Sequence, residues 1–552
     1  MSGNVAATWS VHDSHQPMRK LPAHLLLAAA LASAVPVSPW AQAQPPGSAI
    51  RLPALGDSAG EDFTVGTERH LGDQIMAELR RDPDYLDDPL LLDYVQSLWT
   101  PLLAAARQRG DITADTDTAL AWEPFLVRDR SVNAFALPGG FVGVHLGLIA
   151  MTSSRDELAA VLAHEMSHVT QRHIARSIAS SSRQSLIGLA ALILGVLATS
   201  RSGNGDATQA VIVGSQAAMA QGQLNFSRDM EREADRIGWG VHNSAGFAPI
   251  GVAAMFEKLE HASRLNDNGA FHYLRSHPLT VERIGEARTR VEAASGVRSA
   301  AQSPLDHLMM QARARVLMDS SVPALRRQQG QDVPAPNASA TERVVALYSS
   351  ALASLQLREG ARAQAAVDAA VPLARSAAPA DIRAGQALAL LQAQALQANG
   401  QATQAARSLA ARDAAGPGSS RPLLLARAQA ALEASRGNDN ATLRASAEAL
   451  QTWVAERRND ATAWALLAQC AEALGLHLRA LRAEAESHAA LGDISGAMDR
   501  LRAAQRQARS SSAAPDFIEA SIIDSRLRDL SALRRAQLAE ARGERGRQDP
   551  PQ

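Results

Sequence analysis

The sequence has little of several features that mark common classes of protein. Only one of its 552 residues is a cysteine, Cys470, so no disulfide can form within the chain and no site with several thiolate ligands can exist. The net charge is −1 at pH 7, which gives no basic surface of the kind that binds nucleic acid. Aromatic residues make up 4% of the chain, whereas alanine is abundant, and this composition favours closely packed helices over a β-rich fold.

Long apolar runs are also missing. Residues 25–32 and 186–199 are apolar, but both runs are shorter than the ~20 residues that a helix needs to span a bilayer. The second run and the alanine-containing stretch that follows it, together residues 186–224, predict a pair of helices that packs on the domain or contacts a membrane surface peripherally.

The beginning of the sequence has the pattern of an export signal. The basic pair Arg19-Lys20 precedes the apolar run 25–32, and Ala-Gln-Ala at 41–43 is a typical cleavage site. We therefore predict a signal peptide over residues 1–43 that is cleaved near Ala43, followed by a linker over 44–60. The alternative is an uncleaved signal anchor, and Met18 would be a more ordinary start than Met1.

Against this background, one short motif indicates a metal site. Residues 161–169 are largely apolar and contain the pattern H-E-x-x-H, formed by His164, Glu165 and His168. On a helix, residues four apart share a face, so the two imidazoles can bind one metal ion. Zinc in catalytic sites takes three protein ligands and leaves a position for water, whose proton the adjacent glutamate can accept. The alternative is a chance match on an ordinary amphipathic helix.

The residues before the motif predict that it lies in the middle of a helix. Ser154 and Glu157 form the pattern of a capping box, and neither proline nor glycine interrupts the residues that follow.

A third histidine ligand is not found at the spacing that metzincins use. Ile174 stands six residues past His168, and Gln171 stands where a glycine would be required, so a metzincin is excluded. His173 falls five residues past His168, which on one continuous helix points away from the ligands. We predict that His173 is an ordinary polar-face residue.

A second motif, E-x-x-x-D, offers carboxylates. Glu231 and Asp235 are four apart on a predicted helix, so one can bind metal while the other forms a hydrogen bond with a ligand histidine or the reaction site. The alternative is a solvated helix face with alternating charges.

Together, H-E-M-S-H and S-R-D-M-E-R-E-A-D-R-I-G resemble the gluzincin metallopeptidases of the CAAX prenyl protease and HtpX type, most closely the periplasmic branch of β-barrel assembly-enhancing proteases. The resemblance implies a zincin-type α+β domain over residues 61–300 with a small β-sheet. It implies one zinc ion per chain, bound by His164, His168 and Glu231. Glu165 would deprotonate the attacking water and pass the proton to the leaving amine, and Asp235 would orient a ligand or assist protonation.

Short strands are predicted before the catalytic helix, at 125–127, 135–137 and 141–144. The segment 133–140, N-A-F-A-L-P-G-G, resembles a family segment, and an edge strand there could bind substrate by strand addition, with Asn133 and Gly140 as candidate substrate-binding residues. The alternative is an ordinary turn that supports the core.

A later segment, H-P-L-T-V-E-R, also resembles the family. The resemblance implies that His277 is a candidate fourth ligand that would make the enzyme latent, because it would displace the water; the alternative is a histidine that caps the following helix. Arg283 could bind a substrate carbonyl or pair with an acid.

The remainder of the chain predicts helical repeats over residues 304–540, with a disordered tail at 541–552. A small residue follows a turn glycine by five positions in four places, and Trp464 and Leu467 fit the tetratricopeptide consensus; the pairs are Gly360 with Ala365, Gly400 with Ala405, Gly475 with Ala480, and Gly492 with Ala497. Such repeats stack into a shared core with a concave face for protein segments. Alanine-rich helices without function are the alternative.

The predicted fold class is therefore mainly α: a zincin-type α+β protease domain followed by an all-α repeat domain. By resemblance, the protein is expected in the periplasm, with unfolded or misassembled outer-membrane proteins as substrates and the outer-membrane barrel-assembly machinery as a partner. Two alternatives are a chaperone or scaffold with secondary proteolysis, and a membrane-associated quality-control protease of the HtpX kind.

Overall fold

The computed structural model describes residues 63–180, 228–265, 273–294, 305–332, 337–414, 420–435, 440–510 and 516–548. The predicted signal peptide, the linker 44–60 and the stretch 186–224 lie outside these residues. None of the helices in the described parts combines the length and the apolar character that crossing a membrane requires.

The first part of the described chain combines helices with a small sheet. Its helices are α1 (Val65–Leu79), α2 (Pro89–Arg109), α3 (Ala114–Ala119), α4 (Leu146–Met151), α5 (Arg155–Thr170), α6 (His173–Ser180), α7 (Arg228–Ser244), α8 (Ile250–Leu265), α9 (Tyr273–Ser276) and α10 (Val281–Ala293). Its strands are β1 (Tyr85–Leu86), β2 (Glu123–Val127), β3 (Ala134–Leu137) and β4 (Phe141–His145). The sheet has the order β1-β2-β4-β3, in which β2 and β4 are parallel and the other neighbours are antiparallel. The three predicted strands are confirmed.

Strand β3 forms an edge of this sheet, beside helix α5. The backbone N–H of His145 donates to the carbonyl of Asn133 over 3.1 Å, and Ala134 and Ala136 follow in register opposite Val144 and Val142. Because antiparallel pairs alternate between bonded and non-bonded positions, the backbone groups of Ala134 and Ala136 point away from β4. Among the described residues no further strand pairs with this edge, which lies next to α5; Ala134 is buried there and Ala136 is partly exposed.

Helix α5 carries the H-E-x-x-H motif in its interior, as predicted. The side chain of Ser154 accepts a hydrogen bond from the backbone N–H of Glu157 over 3.2 Å and so caps the helix. Nearly every residue from Glu157 to Val169 is buried, because α7, α8 and β3 pack around the helix. A motif in such a helix is held rigidly.

The rest of the described chain is all helical, as predicted. Its helices are α11 (Leu305–Leu317), α12 (Val322–Gln329), α13 (Ala340–Gln356), α14 (Gly360–Ala377), α15 (Ile382–Ala398), α16 (Ala402–Ala414), α17 (Arg421–Ser435), α18 (Asn440–Glu456), α19 (Ala461–Ala473), α20 (His477–Ala490), α21 (Ile494–Ser510) and α22 (Phe517–Gln548). From α13 onward, consecutive helices pack against each other. The predicted tail at 541–552 is wrong at its start, since α22 continues to Gln548.

Three of the four predicted turn glycines follow a helix in the left-handed conformation, where a side chain would be strained: Gly400, Gly475 and Gly492, with φ of 75°, 75° and 79°. The alanine five residues after each of them is buried. Gly360 differs, because Arg358 takes the positive φ of 62° and Gly360 is the first residue of α14. In that unit Ala365 is exposed, so the predicted pairing of Gly360 with Ala365 is wrong.

The protease-like and repeat-like parts share one hydrophobic core. A single cluster of buried residues extends from Leu86 through Leu162 to Leu305, Val344 and Leu391. The predicted boundary between residues 300 and 304 therefore does not coincide with a break in the core.

Three arginines of the C-terminal helices bind three aspartates that flank the start of α2. The pairs are Arg313 with Asp88, Arg383 with Asp93 and Arg421 with Asp87, each with a shortest N–O distance of 2.6 or 2.7 Å. The Arg313 pair is buried and bidentate, and Arg313 also donates to the hydroxyl of Tyr348 over 3.1 Å. These contacts fix the C-terminal helices against α2.

We predict that Arg313→Met destabilises the protein by about 3–5 kcal/mol, because it leaves the carboxylate of Asp88 buried without a partner. Urea unfolding measures the change. The matched control is Arg502→Met, which removes an exposed pair with Asp499 and should cost only about 0–1 kcal/mol. Equal effects of the two substitutions would contradict the importance assigned to the buried pair.

Candidate metal centre

Two helices and the residue after a third converge on one point. Helix α5 contributes His164 and His168, helix α7 contributes Glu231, and His277 follows α9 directly. One ligand atom from each of these four side chains lies within 4.8 Å of every other, and all four side chains are buried. The structure thus brings together the two motifs that the sequence analysis combined, although more than 60 residues separate them.

The donor set fits a divalent cation. The Nε2 atoms of His164 and His168 lie 3.0 Å apart, and each lies 3.5 Å from an oxygen of Glu231. Two imidazole nitrogens and a carboxylate oxygen at such spacing around one point are the ligands that zinc prefers in catalytic sites. The burial of Glu231 and Asp235 excludes a solvated, alternately charged helix face, which was the alternative for the second motif.

Asp235 lies directly behind the first histidine. Its carboxylate is 3.0 Å from Nδ1 of His164 and accepts two hydrogen bonds from Arg283 over 2.6 and 2.8 Å. Burial by itself would lower the pKa of His164, but Asp235 and Glu231 outweigh burial and raise that pKa to about 10. The two carboxylates therefore favour positive charge at this point, which a bound cation also supplies.

Arg283 pairs with acids on both sides of the site. Besides Asp235, its guanidinium contacts Glu231 over 2.9 Å and donates to the carbonyl of Pro278 over 2.8 Å. Burial raises the pKa of Asp235, but Arg283 and His164 outweigh burial and lower this pKa below its ordinary value. Of the two predicted roles for Arg283, the structure supports pairing with an acid.

Glu165 is fully buried beside the ligands. Neither of its carboxylate oxygens has a hydrogen bond to a side chain among the described residues; Nε2 of His277 lies 3.5 Å from one of them, and the backbone of Ala136 interacts with the carboxylate. Burial raises the pKa of Glu165 above its ordinary value, against the opposing effects of His277, His164 and the backbone of Ala136. A buried carboxylate with a raised pKa suits a group that must accept and return a proton.

His277 lies among the ligands and does not cap a helix. Its Nδ1 is 2.9 Å from an oxygen of Glu231 and 3.4 Å from Nε2 of His164, and its ring stacks on Tyr273 at 4.7 Å between centroids. The cap of α10 is Thr280, whose side chain accepts from the backbone N–H of Arg283. The capping alternative is therefore wrong.

The prediction for His173 is also wrong. Helix α5 ends at Thr170, and Arg172 takes a positive φ of 50°, so the chain turns and His173 begins α6. The side chain of His173 is 0% exposed, and its Nδ1 lies 2.9 Å from Nδ1 of His168. Burial lowers the pKa of His173 to about 4, so the ring is neutral at pH 7. The prediction assumed one continuous helix, which the turn at Arg172 breaks.

Glu233 is a further residue that sequence reasoning missed. It lies on α7 between Glu231 and Asp235, and its Oε2 is 3.1 Å from Nε2 of His173. Helical spacing places Glu233 off the face that the other two acids share, and only the position of α6 makes it a partner of the site.

The two predicted substrate-binding residues of the hairpin have structural contacts. The carbonyl of Asn133 accepts from β4, as described above. Gly140 has a φ of 86°, and a Cβ there would lie 3.0 Å from Leu120, so this glycine serves the turn between β3 and β4. A role of either residue in binding substrate stays a prediction.

Comparison with known proteins agrees with this geometry. Residues 104–291 match peptidase family M48. The chain contains a peptidase family M48 domain. The predicted gluzincin metallopeptidase is thereby confirmed, and the family together with the relatives described next supports a metalloendopeptidase.

Relatives of the M48 domain carry informative names. The chain is 36% identical over 268 residues to the "Putative beta-barrel assembly-enhancing protease" of Vibrio cholerae, covering 49% of the chain and 52% of the relative. It is 34% identical over 246 residues to the "Beta-barrel assembly-enhancing protease" of Escherichia coli, with 44% and 47% covered. It is 35% identical over 165 residues to the "Mitochondrial metalloendopeptidase OMA1" of Schizosaccharomyces pombe, with 30% and 45% covered. The matched part spans about half of the length of these relatives.

We predict that Asp235→Ala weakens zinc binding about 10–100-fold, because it removes the carboxylate that orients His164. Competition with a chelator of known affinity measures the change. Asp229→Ala is the matched control on the same helix, since the side chain of Asp229 is 91% exposed and contacts only Arg232 among the ion pairs of α7. Equal zinc affinities of the two variants would argue against the orienting role of Asp235.

Proposed function

We propose that the chain is an exported, periplasmic zinc endopeptidase that hydrolyses peptide bonds in misfolded or stalled outer-membrane proteins and supports their assembly. The observation that carries the proposal is the convergence of His164, His168 and Glu231 beside the buried carboxylate of Glu165. The names of the bacterial relatives support the substrate class. Zinc itself is inferred from the donor set.

In the proposed mechanism, His164, His168 and Glu231 would hold the metal. When bound, zinc would supply the Lewis acidity that polarises a scissile carbonyl and lowers the pKa of water. Glu165 accepts the proton of the attacking water and returns it to the leaving amine, and the return step uses the raised pKa of this carboxyl group. Asp235 holds His164 in position through Nδ1.

An extended substrate segment would bind along the unpaired edge of β3. The outward backbone groups of Ala136, which is partly exposed, can pair with a peptide by strand addition, whereas Ala134 is buried. Ala136 also adjoins Glu165, since its backbone contributes to the pKa of that carboxyl group. A peptide paired there would pass next to the base.

The C-terminal helices would dock the substrate or the outer-membrane barrel-assembly machinery. Their buried attachment to α2 supports a fixed geometry between the docking surface and the active site. That these helices are tetratricopeptide repeats, and that residues 186–224 contact a membrane, remain predictions.

We predict that Glu165→Gln retains zinc but loses peptide cleavage by about 10²–10⁴-fold, because the amide cannot accept the proton of water. Casein digestion and metal analysis of the purified protein measure the two properties. The matched control is Glu257→Gln, which alters an exposed glutamate that pairs with Arg288 and should leave cleavage unchanged.

Two outcomes would count against the proposal. Persistent cleavage by purified Glu165→Gln would refute the assignment of the base. Full restoration of outer-membrane integrity by Glu165→Gln in a deletion strain would favour the chaperone or scaffold alternative, in which proteolysis is secondary.

We also propose that His277 keeps the enzyme latent. Its Nδ1 is close enough to Glu231 and His164 to act as a fourth ligand, which would take the place of the water that a catalytic zinc site retains. A latent site would prevent cleavage of correctly folding proteins until a substrate displaces His277.

We predict that His277→Ala raises the rate of casein cleavage by the zinc-loaded protein, because it frees the position that water must occupy. The zinc content of the variant serves as the control, since His164, His168 and Glu231 remain. Unchanged or reduced cleavage at full zinc content would speak against latency.

A further inference from the structure

The second ligand histidine has an imidazole behind it instead of a carboxylate. Nδ1 of His168 lies 2.9 Å from Nδ1 of His173, and Nε2 of His173 lies 3.1 Å from Oε2 of Glu233. Arg176 donates to the same oxygen of Glu233 over 2.9 Å. A continuous chain of contacts therefore leads from the metal-facing ring of His168 to a carboxylate at the edge of the site.

Hydrogen-bond chemistry allows one arrangement of protons along this chain when His168 binds metal. Because Nε2 of His168 faces the other ligands, its lone pair must be free, and the proton of the neutral ring is then on Nδ1. That N–H donates to Nδ1 of His173, which must be the unprotonated nitrogen of that ring. The proton of His173 is then on Nε2, where it donates to Glu233.

We propose that His173 is a positioning residue for the metal centre, which fixes the tautomer and the orientation of His168, and that Glu233 in turn holds His173. This inference rests on the proposed metal-dependent function. It assigns a role to two buried or half-buried groups that the mechanism leaves unused.

The comparison with the first ligand supports this role. His164 is held directly by Asp235, whose charge Arg283 balances, whereas His168 is held through His173 by Glu233, whose charge Arg176 balances. Each ligand histidine thus leads to a carboxylate of α7 that an arginine neutralises. Ligands oriented in this way lose less freedom when they bind metal.

The geometry of the helices explains why a relay is needed on one side only. Asp235 shares a face of α7 with Glu231 and reaches His164 directly. Glu233 lies on another face, toward α6, and the ring of His173 spans the remaining distance to His168. The turn at Arg172 places His173 in that gap.

Two substitutions at one position test the proposal. His173→Phe keeps an aromatic ring, which is larger than imidazole, but has no acceptor for the N–H of His168. His173→Asn is smaller, but its amide oxygen can take the place of Nδ1 as the acceptor. We expect zinc affinity, measured by chelator competition, to fall about 10–100-fold in His173→Phe and to stay close to the wild-type value in His173→Asn. The visible spectrum of the Co²⁺-loaded protein reports ligand geometry, so it should change more in His173→Phe than in His173→Asn.

Equal zinc affinity of His173→Phe and wild type would overturn the proposal. An equal loss in both variants would also overturn it, because packing of the ring, and not its acceptor, would then be what matters. If His173→Phe does not fold, Glu233→Ala and Glu233→Gln replace it, since only the glutamine keeps an acceptor for Nε2 of His173; equal affinity of these two would overturn the proposal as well. Failure of the wild-type protein to bind zinc would instead refute the proposed function, so the two failures are distinguishable.

Discussion

Ionisable side chains packed closely around one buried point dominate this structure. His164, His168, Glu165, Glu231 and His277 are all nearly inaccessible to solvent, and buried charge is costly unless opposite charge or a metal compensates it. The fold supplies part of this compensation through Arg283, which contacts both Asp235 and Glu231. A divalent cation at the centre of the ligands would supply the rest.

This constraint accounts for the surroundings of the site. Each ligand imidazole needs a partner for its second nitrogen, and α7 provides the carboxylates for both, directly to His164 and through His173 to His168. In the proposed site, the helix that carries Glu231 would therefore also orient the two histidine ligands. Such rigid support is what catalysis requires, since ligand geometry must hold before substrate arrives.

Helix α2 links the site to the C-terminal helices. It packs on the hydrophobic core beneath the site, and the aspartates at its beginning form ion pairs with arginines of the C-terminal helices. Since one hydrophobic core extends from the sheet to α15, the C-terminal helices are held at a defined position relative to the catalytic helix. A docking surface on these helices would present bound proteins to the edge strand in a constant orientation.

The sequence by itself determined the elements whose signals are local. The capping residue Ser154, the four-residue spacing of His164 and His168, the short strands before α5 and three of the four turn glycines are properties of short segments, and these predictions hold. The spacing of Glu231 and Asp235 likewise indicated one shared face.

Only the tertiary structure decided which residues meet across distant segments. The prediction that His173 is an ordinary polar-face residue was wrong because it assumed one continuous helix, and the positive φ at Arg172 interrupts that helix. Glu233 had no signal of its own, since its role depends on where α6 lies. The core that the described residues before 295 share with those after 304 could not be predicted either, because hydrophobic periodicity indicates which face of a helix is buried but not against which partner.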